Sequence, residues 1–244
     1  MLYRFDLHIH SCLSPCGQLE SSPSAIAARA KEAGLNGVML ADHNTSRNCP
    51  AFADACRRIG GLSCLCGMEV TTAEEVHALA VFDTVEQAQG MTDTLYAALP
   101  KRVNVPDVFG DQPVVNADDE IEEMEWRLLS APTRLSLPDA AGRVHALGGL
   151  FVACHVDRPV FSALSQLGSL TGCTYFDAVE LTRFSKTSDW LPRLEGLPVV
   201  RSSDAHDLDT IGKQYTEADL PAFSVAALRD WLAQRRGDAA TQNI

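Results

Sequence analysis

The chain has 244 residues, of which 46% are hydrophobic and 21% are charged. This length suits one large α/β domain or two smaller ones, and the composition is that of a folded chain with a full core. The formal net charge of −12 argues against a general binder of nucleic acid or of anionic membranes, although clustered divalent cations could still attract a small anionic substrate.

Short apolar runs alternate with helical stretches from the N-terminus onwards. Ser22 followed by Pro23 predicts the start of a helix that ends at Gly34. The strands predicted in chain order are 3–9, 37–41, 62–70, 76–82, 150–153, 178–181 and 198–201. The helices predicted between and after them are 25–33, 51–59, 85–99, 139–147 and 225–235.

The segment 101–137 departs from this alternation. It contains proline, glycine and a run of acidic residues, which predicts an insertion. Its acidic run is interpreted either as a solvated helix or as part of a lid over a site. No repeat or linker divides the chain elsewhere, so we expect a single domain over residues 1–244.

The alternation of strands and helices predicts an α/β fold, with a parallel sheet and helices outside it. Roughly seven such units predict a barrel or a near-barrel, in which active sites lie at the carboxyl ends of the strands. No apolar run approaches the roughly 20 residues of a membrane span, and no basic and apolar leader precedes the first strand. The eight cysteines include no Cys-x-x-Cys pair, so we expect reduced thiols and a cytoplasmic protein without a membrane partner.

Six of the seven histidines lie in short motifs at or near the ends of predicted strands. Residues two apart in a strand point to the same face, which places His8 and His10 together with Asp6. Imidazole and carboxylate groups are metal ligands, so these motifs predict a multinuclear metal centre. The motifs are Asp6-Leu7-His8-Ile9-His10, Asp42-His43, Glu69 with His77, His155, and Asp204-Ala205-His206.

Carboxylates in these motifs suggest two different tasks. Glu69 is the natural bridge, because the two oxygens of a glutamate can bind two ions. Asp6 is interpreted as an outer partner that orients a histidine ring, and Asp42 is a second candidate for such a supporting position.

These motifs resemble those of the PHP family, which is named for polymerase and histidinol phosphatase. The likeness is to the stand-alone phosphoesterases of that family, and it implies a distorted (β/α)7 TIM-like barrel with a trinuclear site for two or three divalent ions of Mn, Zn or Fe. The residues that carry it occur in the family's order: Asp6-Leu7-His8-Ile9-His10-Ser11, Ala41-Asp42-His43-Asn44, Gly67-Met68-Glu69-Val70, His77, Ala153-Cys154-His155 and Ser203-Asp204-Ala205-His206.

The resemblance also implies a distribution of ligands. The third site needs a ligand from the segment after His10, where family members commonly have Asp or His, and here Cys16 is the candidate. The implied groups are His8, His10, Glu69 and Asp204 for the first metal, Glu69, His77 and His155 for the second, and His43, His206 and Cys16 for the third.

The activity implied is hydrolysis of a small phosphate ester, a nucleotide or another phosphomonoester, by a metal-bound hydroxide. Glu69, Asp204 and His206 would be catalytic, and Arg158, held extended by Pro159, is the first candidate to bind the phosphoryl group. Further candidates for that contact are Arg183, Lys186 and Arg201. No stable nucleic-acid binding is expected.

Two other functions stay open at this point. A hydroxide-bearing metal barrel could hydrolyse an amide or another carbonyl bond. A non-catalytic, metal-bearing regulatory domain is the third interpretation, and the intact ligand motifs argue against it.

Overall fold

The computed structural model describes residues 1–236, and most of their strands form one curved sheet that nearly closes on itself. The strands are β1 (Leu2–Ile9), β2 (Gly37–Leu40), β3 (Ser63–Thr71), β4 (His77–Phe82), β5 (Pro113–Val115), β6 (Ile121–Met124), β7 (Leu150–Ala153), β8 (Ala178–Leu181), β9 (Val199–Arg201) and β10 (Thr216–Asp219). The helices are α1 (Pro23–Glu32), α2 (Cys49–Ile59), α3 (Val85–Ala98), α4 (Pro106–Phe109), α5 (Leu137–Ala146), α6 (Ala163–Leu167), α7 (Thr187–Trp190) and α8 (Val225–Ala233), with 3-10 turns at Leu191–Arg193 and Leu208–Thr210. None of the helices in this part of the chain is long and apolar enough to cross a bilayer.

The barrel closes between its first strand and β9. The strand order of the large sheet is β10-β1-β2-β3-β4-β7-β8-β9. Beyond the end of β9, Ala205 pairs in parallel with Ile9, and the His10 amide donates to the Ala205 carbonyl at 2.9 Å. At the other end, β10 pairs antiparallel with β1, and the Thr216 hydroxyl both accepts from and donates to the backbone of Arg201. The predicted TIM-like barrel is therefore confirmed.

Two strands of the large sheet run against the others, β10 at its edge and β4 within it. β4 pairs antiparallel with both β3 and β7, and β10 pairs antiparallel with β1, so the prediction of a wholly parallel sheet is wrong at these two strands. Reversal brings the first residue of β4, His77, to the edge where the parallel strands end. This direction explains how a histidine at the start of a strand joins the others.

Alternation along the strands separates two cores. Outward residues pack against α1, α2, α3 and α5, in a cluster that includes Val38, Phe52 and Phe151. Inward residues such as Phe5, Leu65 and Leu79 fill the barrel, and α8 closes its lower end. Further along β3 the inward face becomes polar. Leu65 and Gly67 are followed on the same face by Glu69. The apolar barrel thus supports a polar upper layer.

Predicted element positions agree with the structure within a few residues, and 150–153 and 178–181 agree at both ends. The N-cap of α1 is confirmed, since the Ser22 side chain accepts from the Ala25 amide. The final helix ends at Ala233 rather than at residue 235. Sequence reasoning missed β10 and the short helices α6 and α7.

The insertion contains α4 and the β5–β6 hairpin. Of the two interpretations of its acidic run, the solvated helix is wrong, because most of the run forms the exposed strand β6 and the turn before it, whereas the lid stays a prediction. The hairpin is tied to the barrel, because the Val115 amide donates to Asn48 Oδ1 at 3.0 Å and Arg47 pairs with Glu125 at 3.1 Å. Leu13, in the loop after β1, packs with the insertion's Val114 and Leu128. The insertion therefore supports the loop that carries Ser14 and Cys16.

We predict opposite effects from two glycine-to-alanine changes. A Cβ at Gly149, just before β7, would lie 2.7 Å from the Val81 carbonyl oxygen and 2.6 Å from the Phe82 ring. Gly149→Ala should lower the free energy of unfolding by about 1–3 kcal/mol, as overpacking does. A Cβ at Gly142 in α5 meets nothing within 4 Å, so Gly142→Ala should add about 1 kcal/mol.

Denaturant unfolding of both variants and of wild type measures this difference. Equal stability of the two variants would contradict the close packing of Gly149 against β4.

Candidate metal centre

Six histidines and two carboxylates meet at the edge where the parallel barrel strands end. Most belong to β-strand termini or to the residues directly after them, which explains why short apolar runs precede them in the sequence. The groups are His8 in β1, His10 just beyond it, His43 after β2, Glu69 in β3, His77 at the start of β4, His155 after β7, and Asp204 and His206 after β9.

Glu69 lies at the middle of the group and is 1% exposed. Its Oε1 lies 2.7 Å from His77 Nδ1 and 3.1 Å from His155 Nε2. Its Oε2 lies 3.1 Å from His43 Nδ1 and 3.4 Å from His10 Nε2. Burial alone would raise the pKa of Glu69, but the surrounding histidines, His77 first, lower it well below its usual range. Each oxygen thus faces histidines of different strands, which is the arrangement of a bridging carboxylate.

Asp204 faces the opposite side of the HxH pair. Its Oδ1 lies 3.4 Å from Nε2 of both His8 and His10, and its Oδ2 lies 2.5 Å from an Arg158 nitrogen. Asp204 and His155 have positive φ angles of 50° and 30°, a region that non-glycine residues seldom adopt. Burial would raise the pKa of Asp204, but His8 and His10 lower it. Local strain at both residues is typical of functional sites.

The outer nitrogens of three histidines are held by acceptors. His8 Nδ1 lies 3.1 Å from both oxygens of Glu180, and His206 Nδ1 lies 2.9 Å from the Asp204 carbonyl. His10 Nδ1 lies 3.0 Å from Ser14 Oγ, whose own hydrogen goes to Asp42 at 2.7 Å. These partners assign a proton to each Nδ1 and leave each Nε2 lone pair free.

Free lone pairs are directed at one another inside the cluster. His8 Nε2 and His10 Nε2 are 3.2 Å apart, a contact that needs a proton or a cation between the two nitrogens. Burial, followed by the neighbouring His206, lowers the pKa of His10 to about 4, and burial lowers that of His43 well below its usual value. Nδ1 of His155 is buried without a hydrogen-bond partner, and Nδ1 of His43 faces Glu69 Oε2 at 3.1 Å. Imidazole nitrogens gathered around ionised carboxylates in a buried cluster are the donor set that a divalent cation requires.

Ligand atoms fall into four overlapping groups whose members lie within 4.8 Å of one another. The groups within residues 1–236 are His8, His10 and Glu69; His43, Glu69 and His77; Glu69, Cys154 and His155; and His10, Cys16 and His206. Cys16, an exposed residue, lies in one of these groups with His10 and His206, and its role as a ligand stays a prediction. His43 groups with Glu69 and His77 rather than with His206.

Two residues near the cluster were missed by sequence reasoning. Cys154 is fully buried beside Glu69 and His155, and its only signal was its place directly before His155. Glu180 is 1% exposed, contacts His8 Nδ1 and accepts from the His155 amide at 3.2 Å. A lone carboxylate in the apolar strand β8 was the signal for it, because a buried charge needs partners.

Asp6 does not orient a histidine ring. A register shift between Asp6 and Ile9 breaks the alternation of β1, and Asp6 pairs with Val38. Its Oδ1 instead accepts from the amides of His8 at 3.2 Å and Ser203 at 3.0 Å. Burial raises the pKa of Asp6 to about 6. The expected same-face placement of Asp6 with the HxH pair is therefore wrong, and Asp6 ties β1 to the segment after β9.

Asp42 does support a histidine, through serine. It accepts from Ser11 and Ser14 hydroxyls, each at 2.7 Å, and Ser14 contacts His10. Burial raises the pKa of Asp42, while these hydrogen bonds oppose the rise. Asp42 therefore fixes the tautomer of His10 through the Ser14 hydroxyl.

The four basic side chains that are candidates to bind the phosphoryl group occupy different positions. Arg158 and Arg183 line a cavity of about 190 Å³ that also borders Asp204 and His206. Lys186 is exposed at the start of α7 and does not line that cavity. Arg201 is 5% exposed and donates to the Thr182 and Ser185 carbonyls at 2.7 and 2.9 Å.

Comparison with known families and structures places this fold. The model of the PHP domain matches residues 6–130, and that of a PHP-associated region matches 193–236. The lesion-specific endonuclease PfuEndoQ from Pyrococcus furiosus superposes with a TM-score of 0.72 at 20% identity, over 98% of this chain and 57% of that chain. Endonuclease Q bound to a 27-mer duplex with an abasic lesion superposes with a TM-score of 0.70 at 19% identity, over 96% of this chain and 57% of that chain.

A third structure is similar over nearly its whole length. A proposed metal-dependent phosphoesterase from Bifidobacterium adolescentis gives a TM-score of 0.63 at 22% identity, over 97% of this chain and 98% of that one. At these identities the likeness concerns the fold, and this chain spans little more than half of the endonuclease. No curated protein matches the chain in sequence.

We predict that Glu69→Gln lowers the bound divalent metal by at least one ion per chain. An amide carries no charge and offers one metal-binding oxygen in place of two. Elemental analysis of protein purified without chelator measures the loss, and circular dichroism checks that the fold is kept. Glu122→Gln on the exposed strand β6 is the control, and equal metal content in both variants would remove Glu69 from the bridging position.

Glu180→Gln should weaken metal binding by about 10- to 100-fold, the usual effect of losing an outer carboxylate on a metal-binding histidine. Its amide oxygen can still accept from His8 Nδ1, but without a negative charge the ring is a poorer ligand. Glu180→Leu, which removes the acceptor as well, should weaken binding further. Competition with a fluorescent chelator gives the affinities, and wild-type affinity in Glu180→Leu would contradict this assignment.

Proposed function

The chain belongs to the PHP domain family, and from that premise we propose that it hydrolyses a small phosphate ester, a nucleotide or another phosphomonoester. Family membership and the ligand cluster support the coarser description, a metal-dependent hydrolase. The observation that carries the proposal is Glu69, whose two oxygens face histidines from four different strands or strand ends.

The cluster is proposed to hold two or three divalent ions. When bound, such ions lower the pKa of water and stabilise charge on a phosphoryl group. Histidine and carboxylate suit Mn, Zn and Fe alike, whereas a Cys16 thiolate would favour Zn or Fe. The proposed ligands are His8, His10, Cys16, His43, Glu69, His77, His155, Asp204 and His206.

Arg158 stands between the cluster and the cavity. Its side chain is 41% exposed and pairs with Asp204, so its guanidinium reaches both the ligand group and the solvent-filled space. A planar guanidinium binds two phosphoryl oxygens at once, which suits it to hold the ester as charge develops. In the reaction a bond forms between phosphorus and the oxygen of water, the bond to the alcohol oxygen breaks, and the alcohol leaves with a proton.

A phosphodiester in nucleic acid is the second candidate, favoured by the fold likeness to a DNA-bound endonuclease. One observation favours a small ester instead. The formal charge of −12 repels a polyanion. The endonuclease is also a much longer protein, so its activity does not transfer with the barrel.

We predict that Arg158→Ala lowers kcat/KM by about 10- to 100-fold for a phosphomonoester that the wild type hydrolyses. A loss of this size corresponds to removal of a charge-assisted hydrogen bond. Arg158→Lys should recover only part of this loss, because an ammonium group cannot bind bidentately. Steady-state kinetics with manganese, zinc or iron measures the effect. Arg143→Ala, a change on α5 away from the cavity, is the control.

The same assay tests the function itself. Metal-loaded wild-type protein should release phosphate from a panel of monoesters, and inorganic phosphate should inhibit it. Turnover of amide or carboxyl-ester substrates without any phosphate ester would overturn the proposal in favour of carbonyl hydrolysis. Cleavage of oligonucleotides alone would favour the nuclease candidate.

A further inference from the structure

An exposed phenylalanine stands at the mouth of the cavity beside the cluster. Phe184 is 80% exposed, more than any other large hydrophobic side chain in residues 1–236. It lines the same cavity as Arg158, Asp204 and His206. An apolar ring kept in water next to a candidate active site points to a ligand that covers it.

Charged side chains hold the loop that presents this ring. The buried Arg201 donates to the carbonyls of Thr182 and Ser185 at 2.7 and 2.9 Å. The half-buried Asp157 accepts from the Thr182 amide at 3.0 Å and from its hydroxyl at 2.5 Å. The loop is therefore anchored on both flanks, and Phe184 is exposed on a fixed support rather than on a loose segment.

Arg183 adds a second flat group to the ring. Its guanidinium carbon lies 4.8 Å from the centroid of Phe184, a cation–π distance. Much of the ring remains open to solvent in this arrangement. Aromatic rings and guanidinium planes are the groups on which proteins stack planar ligands, because stacking needs a flat apolar face and tolerates differences in ring substituents.

We propose that Phe184 and Arg183 form a stacking surface for a planar ring in the alcohol part of the substrate. The phosphoryl group would lie at Arg158 and the cluster, on the other wall of the cavity. This inference rests on the proposed function and narrows it. The preferred substrates would be phosphate esters of alcohols that carry an aromatic or heteroaromatic ring, such as nucleosides, and purely aliphatic esters would be poorer substrates. Phe184 is thereby assigned to specificity and not to the chemical step.

The test compares two esters in three proteins. The ratio of kcat/KM for a nucleoside 5′-monophosphate to that for glycerol 3-phosphate is measured in wild type, Phe184→Leu and Phe184→Trp. Phe184→Leu should lower the ratio on the order of tenfold, through loss for the nucleotide alone, and Phe184→Trp should keep it. Trp126→Leu is the matched control, since Trp126 is an exposed ring with Arg127 at 5.0 Å but does not line the cavity.

An unchanged ratio in Phe184→Leu would overturn the inference while leaving the proposed function standing. If the variant also changes its oligomeric state in sedimentation, the ring belongs to a contact between copies of this chain. If wild type turns over neither of these esters nor any other monoester of the panel, the proposed function fails separately. In that case calorimetry measures the affinity of wild type and of Phe184→Leu for the nucleotide and for inorganic phosphate. Equal nucleotide affinity in the two proteins would contradict the stacking surface.

Discussion

The ionised carboxylate of Glu69, buried among imidazoles, is the constraint on which the rest of the site depends. A charge at this depth is costly unless opposite charge and hydrogen bonds surround it. Protons on the histidines could supply part of that charge, since Glu180, Asp204 and Glu69 outweigh burial and raise the pKa of His8, but burial makes His10 and His43 poor bases. Divalent cations meet the same need while leaving the imidazoles neutral. The arrangement is therefore better matched to metal ions than to a protonated histidine cluster.

Barrel geometry explains how a charged layer rests on an apolar core. Inward side chains change from Leu65 to Glu69 along β3 and from Leu79 to His77 against the direction of β4. The lower layers exclude water and stabilise the barrel, whereas the upper layer faces the open edge. Reversal of β4 is essential to this layering, since only an antiparallel strand places its first residue beside the last residues of its neighbours.

Sequence patterns predicted the histidine cluster because strand ends leave a clear signal, an apolar run followed by a metal-binding group. They could not predict the direction of β4, since an apolar run reads the same either way. The bulge that displaces Asp6 left no mark in the alternation of β1. The acidic run was interpreted as a helix because charge reports solvent exposure and not backbone shape. Glu180 was visible only as a polar break in β8, and its partner His8 lies 172 residues away.

Segments at the upper edge are joined by charged side chains of neighbouring strands and loops, and these links determine how precisely the site is held. Asp42 holds the loop after β1, Asp6 holds the segment after β9, and Asp157 with Arg201 holds the loop after β8. Each link donates to or accepts from the backbone of a neighbouring segment, so moving any of these three segments would break hydrogen bonds to the strand or loop beside it. Positioning of this kind reduces the cost of ordering ligands and substrate at the moment of binding. It also explains why several charged residues close to the cluster contact backbone instead of the metal ligands: their charges hold the loops from which the ligands project.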